Sequence, residues 1–224
     1  MAADFAMLRQ RMVDGQIRTV DVTKLSVLAA FLSIPREKFV PAKFEELSYS
    51  DETIPLAAPR AGGCGRYLMK PAALAKLLQA ADIKSEDIVL DIGAGTGYSA
   101  ALLSKLASSV IALEQDEKLA AIANENMQKG GYDNVVVVSG ELTKGYAEEG
   151  PFDVILLEGA VDFIPEALFA QLREGGRLVV AEGHGNSAVA RVYMKEDGVV
   201  SARRIFNLAI NPLEGFQKNP EFVF

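Results

Sequence analysis

VLDIGAGTGYSAALLSKL, residues 89–106, reads as a buried strand, a glycine turn and an amphipathic helix. Ile88 to Ile92 is a short apolar run with one acid, Asp91, near its end. Gly93, Gly95 and Gly97 follow at every second position, and Leu102, Leu103 and Leu106 then recur at helical spacing. Glycines this dense let a backbone turn tightly and let a ligand come close to its amides. The turn opens a helix, so unpaired N–H groups and the positive end of the helix dipole face whatever binds there. A negatively charged or oxygen-rich ligand group fits that environment.

Two cofactor classes use this design. The dinucleotide fingerprint G-x-G-x-x-G needs its third glycine where Tyr98 stands, and Asp91 beside the turn is a poor neighbour for a pyrophosphate. A carboxylate there suits a ligand carrying an ammonium group. S-adenosylmethionine has one, with a sulfonium and a carboxylate besides. The D-x-G-x-G-x-G run resembles the first motif of class I methyltransferases.

The remaining composition narrows the field. The chain has 224 residues, half of them apolar, which is enough for one α/β domain with a sizeable core. A net charge of -7 argues against a nucleic-acid surface. No apolar run approaches the roughly 20 residues of a membrane helix. The opening MAADFAMLRQRM has no signal-like core, and one cysteine rules out an internal disulfide. A cytoplasmic protein is expected. One histidine and one cysteine are too few for a zinc cluster, so no metal is expected.

Residues 1–80 read as a helical and loop extension, and residues 81–224 as the α/β core, together one domain. Residues 4–33 look helical, with Phe5, Leu8 and Met12 on one face. Asp21 is placed to cap a second helix whose stripe is Leu25, Leu28, Ala29 and Leu32. Pro35 to Pro55 reads as short turns packed through Phe39, Val40, Phe44 and Leu47. The glycine-rich LAAPRAGGCGRYLMKP, residues 56–71, has no period and reads as a lid, a part of the site or a connector. A helix starts at Pro71 with Leu74, Leu77 and Leu78 inward. Strands at 88–92, 110–113, 134–138, 152–157 and 177–181 alternate with helices at about 98–107, 116–129 and 166–172. That rhythm implies a Rossmann-like, doubly wound parallel sheet. Segments 188–194 and 199–206 flank Glu196-Asp197-Gly198 and read as an antiparallel C-terminal edge hairpin.

Ligands bind beyond the carboxyl ends of such strands. The first end offers Asp91, Gly93, Ala94, Gly95 and Gly97. The second offers Glu114, with Gln115 after it, to take the two ribose hydroxyls and to repel a 2′-phosphate. Gly140 and Glu141 follow the third strand, where an acid could meet an adenine amino group. Glu158-Gly159 follows the fourth, at the reacting end. His184, Cys64 and the pair Arg203-Arg204 read as solvated or inert. No catalytic residue is assigned.

MVDGQIR at 12–18, IPREKFVP at 34–41, YDNVVVVSGE at 132–141, PFDVILLEGAVDFIPEAL at 151–168 and LREGGRLVV at 172–180 join the glycine stretch in order. Together they resemble the protein-L-isoaspartate O-methyltransferases over most of the chain. The resemblance implies a class I methyltransferase fold, S-adenosyl-L-methionine as donor, and isoaspartyl carboxylates of damaged proteins as acceptors. It assigns the glycine turn and Glu114 to the cofactor, with Glu141 where the family has aspartate. The family's G-Q-T-I-S-Q-P segment aligns with Gly65 to Pro71, so Tyr67 replaces its threonine and Met69 its serine, both at substrate positions. Glu158 replaces a small polar residue and repels a carboxylate acceptor unless Arg66 or Lys70 offsets it. Three readings stay open: isoaspartyl methylation, transfer to a small molecule or amine, and cofactor binding without turnover.

Overall fold

The computed structural model describes residues 4–59, 64–183 and 187–218. Nine strands and six α-helices are assigned among them. A seven-stranded sheet runs in the order β5-β4-β3-β6-β7-β8-β9. Its parallel part is β3 (Ile88–Ile92), β4 (Ser109–Glu114), β5 (Val135–Ser139), β6 (Phe152–Val161) and β7 (Leu172–Glu182). The hairpin β8 (Ala188–Glu196) and β9 (Val199–Leu208) adds the antiparallel edge. Its turn places Asp197 at φ 51° and Gly198 at φ 74°, the left-handed pair that a tight hairpin turn requires.

Alternation along the strands builds two cores, one on each face of the sheet. Val89, Val110, Ala112, Val154 and Leu156 join one cluster. Leu90, Ile92, Ile111, Leu113, Ile155 and Leu157 join the other. Strand β3 pairs with β4 on one side and β6 on the other, so the chain reverses direction across the sheet beside it. That switch point opens a crevice at the carboxyl end of β3. The glycine turn lies there, with Gly93, Gly95 and Gly97 all at positive φ. Helix α4 (Tyr98–Leu103) leaves the turn fully buried. Helix α5 (Glu117–Gly130) is capped by Asp116, whose carboxylate accepts the Lys118 and Leu119 amides, and it ends at left-handed Gly131.

The N-terminal helices pack into the first core. Met12, Val13, Ile17, Leu28 and Phe31 join Leu74 and Leu78 of α3 (Pro71–Ala81) and Leu102 of α4. Several expectations change here. Residues 4–33 do not form continuous helix: α1 (Phe5–Met12) runs into a π turn and a 3-10 turn before α2 (Leu25–Ser33). Asp21 does not cap α2. It stands left-handed in the linking turn, and Lys24 is the N-cap. Gln79 of α3 substitutes for a cap, its Oε1 accepting the Thr23 amide at 2.7 Å and the Lys24 amide at 3.0 Å. Docking on α3 rotates α2, so Val27, Leu28, Ala30 and Phe31 face inward and Leu25 is 76% exposed. Phe39 is buried, but Leu47 is 55% exposed on the outer side of a 3-10 turn.

The later elements shift too. The described ends of the glycine-rich segment join an antiparallel pair, β1 (Ile54–Ala57) with β2 (Arg66–Leu68). Strand β6 continues past Leu157, because an irregularity between Leu156 and Ala160 absorbs Glu158 and Gly159 without ending the pairing to β7. Helix α6 (Glu166–Ala170) is short, and β7 begins at Leu172, before the glycine pair that was expected to precede it. Val136 on the outer strand β5 is 52% exposed, since an edge strand has less to cover it. His184 lies outside the described residues.

Candidate functional site

The crevice gathers Asp91 from the end of β3, Glu114 from the end of β4, Glu158 from the bulge of β6, and Arg66 from β2. All but Glu158 are buried by residue, and the Glu158 Oε1 atom is buried as well. Glu114 is fully used. Its Oε2 accepts the Gly95 amide at 2.7 Å and Arg66 Nη2 at 2.6 Å; its Oε1 accepts the Gln115 amide at 2.9 Å and the Asp116 amide at 3.0 Å. Arg66 Nη2 also donates to the Gly93 carbonyl at 2.7 Å, while its Nε is buried with no acceptor.

Asp91 Oδ2 accepts the Ser99 hydroxyl at 2.7 Å, and its Oδ1 is buried with no donor. Burial pushes the Asp91 carboxyl up to about 7; the charge of Glu114 adds to this, and Ser99, Glu158 and Arg66 oppose it. Burial also raises Glu158, reinforced by the charge of Asp91 and opposed by Arg66. Each of the two carboxyls therefore favours a proton near neutrality, and one proton held between them would satisfy both orphan oxygens.

The glycine turn is covered from above. A Cβ at Gly93 would lie 2.7 Å from Leu213 Cδ1 and 3.1 Å from Arg66 Nη2, and one at Gly95 would lie 2.8 Å from Leu56 Cδ1. Ala94 is buried in the same turn. Beyond Glu114 the surface opens into a hollow of about 320 Å³ lined by Gln115, Asp116, Glu117 and Lys118. On the other side Glu158, Arg66, Tyr67 and Met69 share a narrow cleft with Asn211 and Pro212.

Other expected residues are placed differently. Gly140 donates its amide to the Glu114 carbonyl at 3.1 Å, which ties the third strand end to the second. Glu141 instead turns outward, pairing with Lys144 at 2.7 Å and with the Thr143 hydroxyl, so it does not join the other acids. Lys70 makes an exposed pair with Glu52 at 3.4 Å, which leaves Arg66 and, behind it, Arg36 as the cations near Glu158. Burial raises the Cys64 thiol, in keeping with an inert role. Among the described residues no group of three or more His, Cys, Asp and Glu could hold a metal, and no helix is long and apolar enough to cross a membrane.

Sequence reasoning missed Arg36. Its side chain is fully buried, with Nε donating to the Ser48 carbonyl and Nη2 to the Met69 carbonyl, both at 2.7 Å. It also lies 4.8 Å from the centre of the Tyr98 ring. It thereby fixes the segment that carries Tyr67 and Met69 to the first turn of α4. Arg36 is one of three consecutive charged residues in IPREKFVP, so the sequence carries no signal that singles it out from Glu37 and Lys38.

The family model of protein-L-isoaspartate(D-aspartate) O-methyltransferases matches residues 7–216. The chain belongs to the protein-L-isoaspartate O-methyltransferase family. A family member from Koribacter versatilis is 38% identical over 213 residues, covering 95% of this chain and 93% of its own. One from Methanoculleus marisnigri is 36% identical over 207 residues, covering 92% and 91%. A solved protein-L-isoaspartate O-methyltransferase superimposes with a TM-score of 0.77 at 28% identity, covering 92% of this chain and 66% of that longer one. A Plasmodium falciparum protein described in the same terms, solved with S-adenosyl-L-homocysteine, has a TM-score of 0.76 at 20% identity, covering 97% and 100%, and shares the fold. Within this family, the isoaspartate methyltransferase frame is what positions Asp91 and Glu114 at adjacent strand ends.

Proposed function

We propose that this chain transfers a methyl group from S-adenosyl-L-methionine to the carboxylate of isoaspartyl residues in damaged proteins or peptides, in the cytoplasm. The observation that carries the reading is the pair of buried acids at adjacent strand ends, Asp91 with an orphan Oδ1 and Glu114 just before the residues that line the hollow, around a glycine turn in a chain of this family. These residues fit the donor. Asp91 Oδ1 has no donor and can accept its ammonium group, Glu114 can accept its ribose hydroxyls once Arg66 leaves Oε2, and the turn of Gly93, Ala94, Gly95 and Gly97 lies between the two acids. Gln115 and Gly140 border the adenine side. When bound, the donor supplies a methyl group already activated on sulfur.

The chain's own residues then need only to orient and exclude water. An isoaspartyl carboxyl, with a pKa of about 4, is ionised at neutral pH and needs no base. Residues 1–80 act as the cover of the 81–224 core, supported by the apolar cluster the two parts share. The acids Asp91 and Glu158 favour a second reading, an amine acceptor at the same place. The deciding experiment is label transfer from methyl-labelled S-adenosylmethionine to an isoaspartyl peptide, its normal aspartyl twin and an amine-bearing control. Labelling of the isoaspartyl peptide alone supports the first reading; labelling of the amine alone replaces it.

Asp91 also sets a pH dependence. With its carboxyl near 7, the folded protein holds a proton there that the unfolded chain releases near 4. Rising pH between those values therefore lowers fold stability, while it creates the anion that an ammonium group needs. Donor affinity is expected to rise about fivefold from pH 6 to pH 7, about tenfold by pH 8, and to level above that. Calorimetric titration with S-adenosylhomocysteine across that range checks this, and Asp91→Asn should abolish the slope.

A further inference from the structure

Glu114 cannot serve a ribose in the arrangement described. Both of its oxygens already accept two donors each, and one of those donors is Arg66. The Gln115 and Asp116 amides belong to the backbone turn after β4, and the Gly95 amide to the glycine turn. Arg66 is the one partner borne on a side chain, and it comes from a separate element, the short strand β2. It is therefore the partner that can leave.

Two observations show where Arg66 would go. Its Nε is buried and has no acceptor, so the guanidinium is only partly satisfied on Glu114. It also lines the narrow cleft shared with Glu158, Tyr67 and Met69. In that cleft Glu158 and Asp91 are the nearby acids, Arg36 approaches from the 3-10 turn behind them, and Ser99 faces them from α4. A free Arg66 in the cleft would offer two parallel N–H groups, the geometry that matches a carboxylate.

We propose that Arg66 is the residue that selects and seats the acceptor carboxylate, and that Glu114 holds it in reserve until the donor's ribose takes its place. The guanidinium thus substitutes for the hydroxyl groups that Tyr67 and Met69 lack. It also stands beside Glu158, whose carboxyl burial holds toward its protonated form, so the charge in the cleft favours a carboxylate. The acceptor half of this inference rests on the isoaspartyl reading; the donor half does not. Arg66 exchanges one carboxylate for another, and before the acceptor arrives Asp91 and Glu158 are the acids beside it.

The test separates the halves. Wild type, Arg66→Gln and Arg66→Lys are titrated calorimetrically with S-adenosylhomocysteine, and then, loaded with it, with an isoaspartyl peptide; thermal melts confirm that each variant folds. Arg66→Gln is expected to bind S-adenosylhomocysteine about tenfold more tightly, because the competing charge-assisted hydrogen bond is gone, and to bind the peptide at least about tenfold more weakly. Arg66→Lys keeps the charge without the fork and should fall between the two in both titrations. In turnover, Arg66→Gln should raise KM for the peptide far more than it lowers kcat. Unchanged or weaker S-adenosylhomocysteine binding by Arg66→Gln overturns the reserve on Glu114. Unchanged peptide affinity, or a peptide that wild type binds equally well without S-adenosylhomocysteine, overturns the acceptor role. A wild-type protein that labels no isoaspartyl peptide sinks the proposed function, and the S-adenosylhomocysteine titrations still read the Arg66–Glu114 contact.

Discussion

Glu114→Ala is expected to destabilise the fold by roughly 3–5 kcal/mol and to remove measurable donor binding. The loss is large because four donors end on this one side chain: the Gly95, Gln115 and Asp116 amides and Arg66. Truncation strands a buried guanidinium beside the Gly93 carbonyl, and an unpaired buried charge costs more than its pair contributed. A double-mutant cycle isolates this contribution. In an Arg66→Gln background the same truncation should cost only about 1–2 kcal/mol, the cost of leaving backbone amides without an acceptor. Urea unfolding of the four proteins gives both numbers. Equal costs in the two backgrounds would show that Arg66 and Glu114 are not coupled.

Arg36→Ala comes next in expected effect, about 3–5 kcal/mol of stability, as for other buried polar networks broken on one side. The guanidinium fills space under the Tyr98 ring and donates to the Ser48 and Met69 carbonyls. Its removal leaves a cavity and two carbonyls without their donor. Scanning calorimetry should show the midpoint falling by roughly 6–20 °C, at about 2–4 °C per kcal/mol for a chain of this size. Arg36→Lys should recover less than half, because one ammonium cannot reach two carbonyls as a fork does. A fall of under about 2 °C for Arg36→Ala would mean that another group anchors the Met69 segment.

The sheet was legible because its evidence is local. Strand β3, the glycine turn and α4 are announced by a change of period within 18 residues, and Glu114 by a single acid ending an apolar run. The register of β3 with β4 then places Asp91 and Glu114 at adjacent strand ends, as the spacing implied. What was illegible depends on partners distant in the chain. Arg66 reaches Glu114 across 48 residues and Gln79 caps α2 across 55, and neither pairing leaves a periodic trace. Glu141 stands apart from the other acids for a different reason. Spacing shows that a strand ends there but not which way the next side chain turns, and Lys144 three residues later draws it into solvent. Glu158 was placed beyond a strand end because Glu-Gly interrupts an apolar run. A bulge lets β6 continue and keeps the side chain over Asp91.

The donor site is the centre of these assignments, and calorimetric titration of S-adenosyl-L-homocysteine against NADPH tests it most directly. The expected result is one-to-one binding of S-adenosylhomocysteine at pH 7.5, weakened by about 1–3 kcal/mol in Glu114→Gln, with no heat from NADPH, whose 2′-phosphate meets the Glu114 carboxylate. Binding of NADPH in place of S-adenosylhomocysteine, or S-adenosylhomocysteine binding indifferent to Glu114→Gln, would contradict the assignment of this crevice.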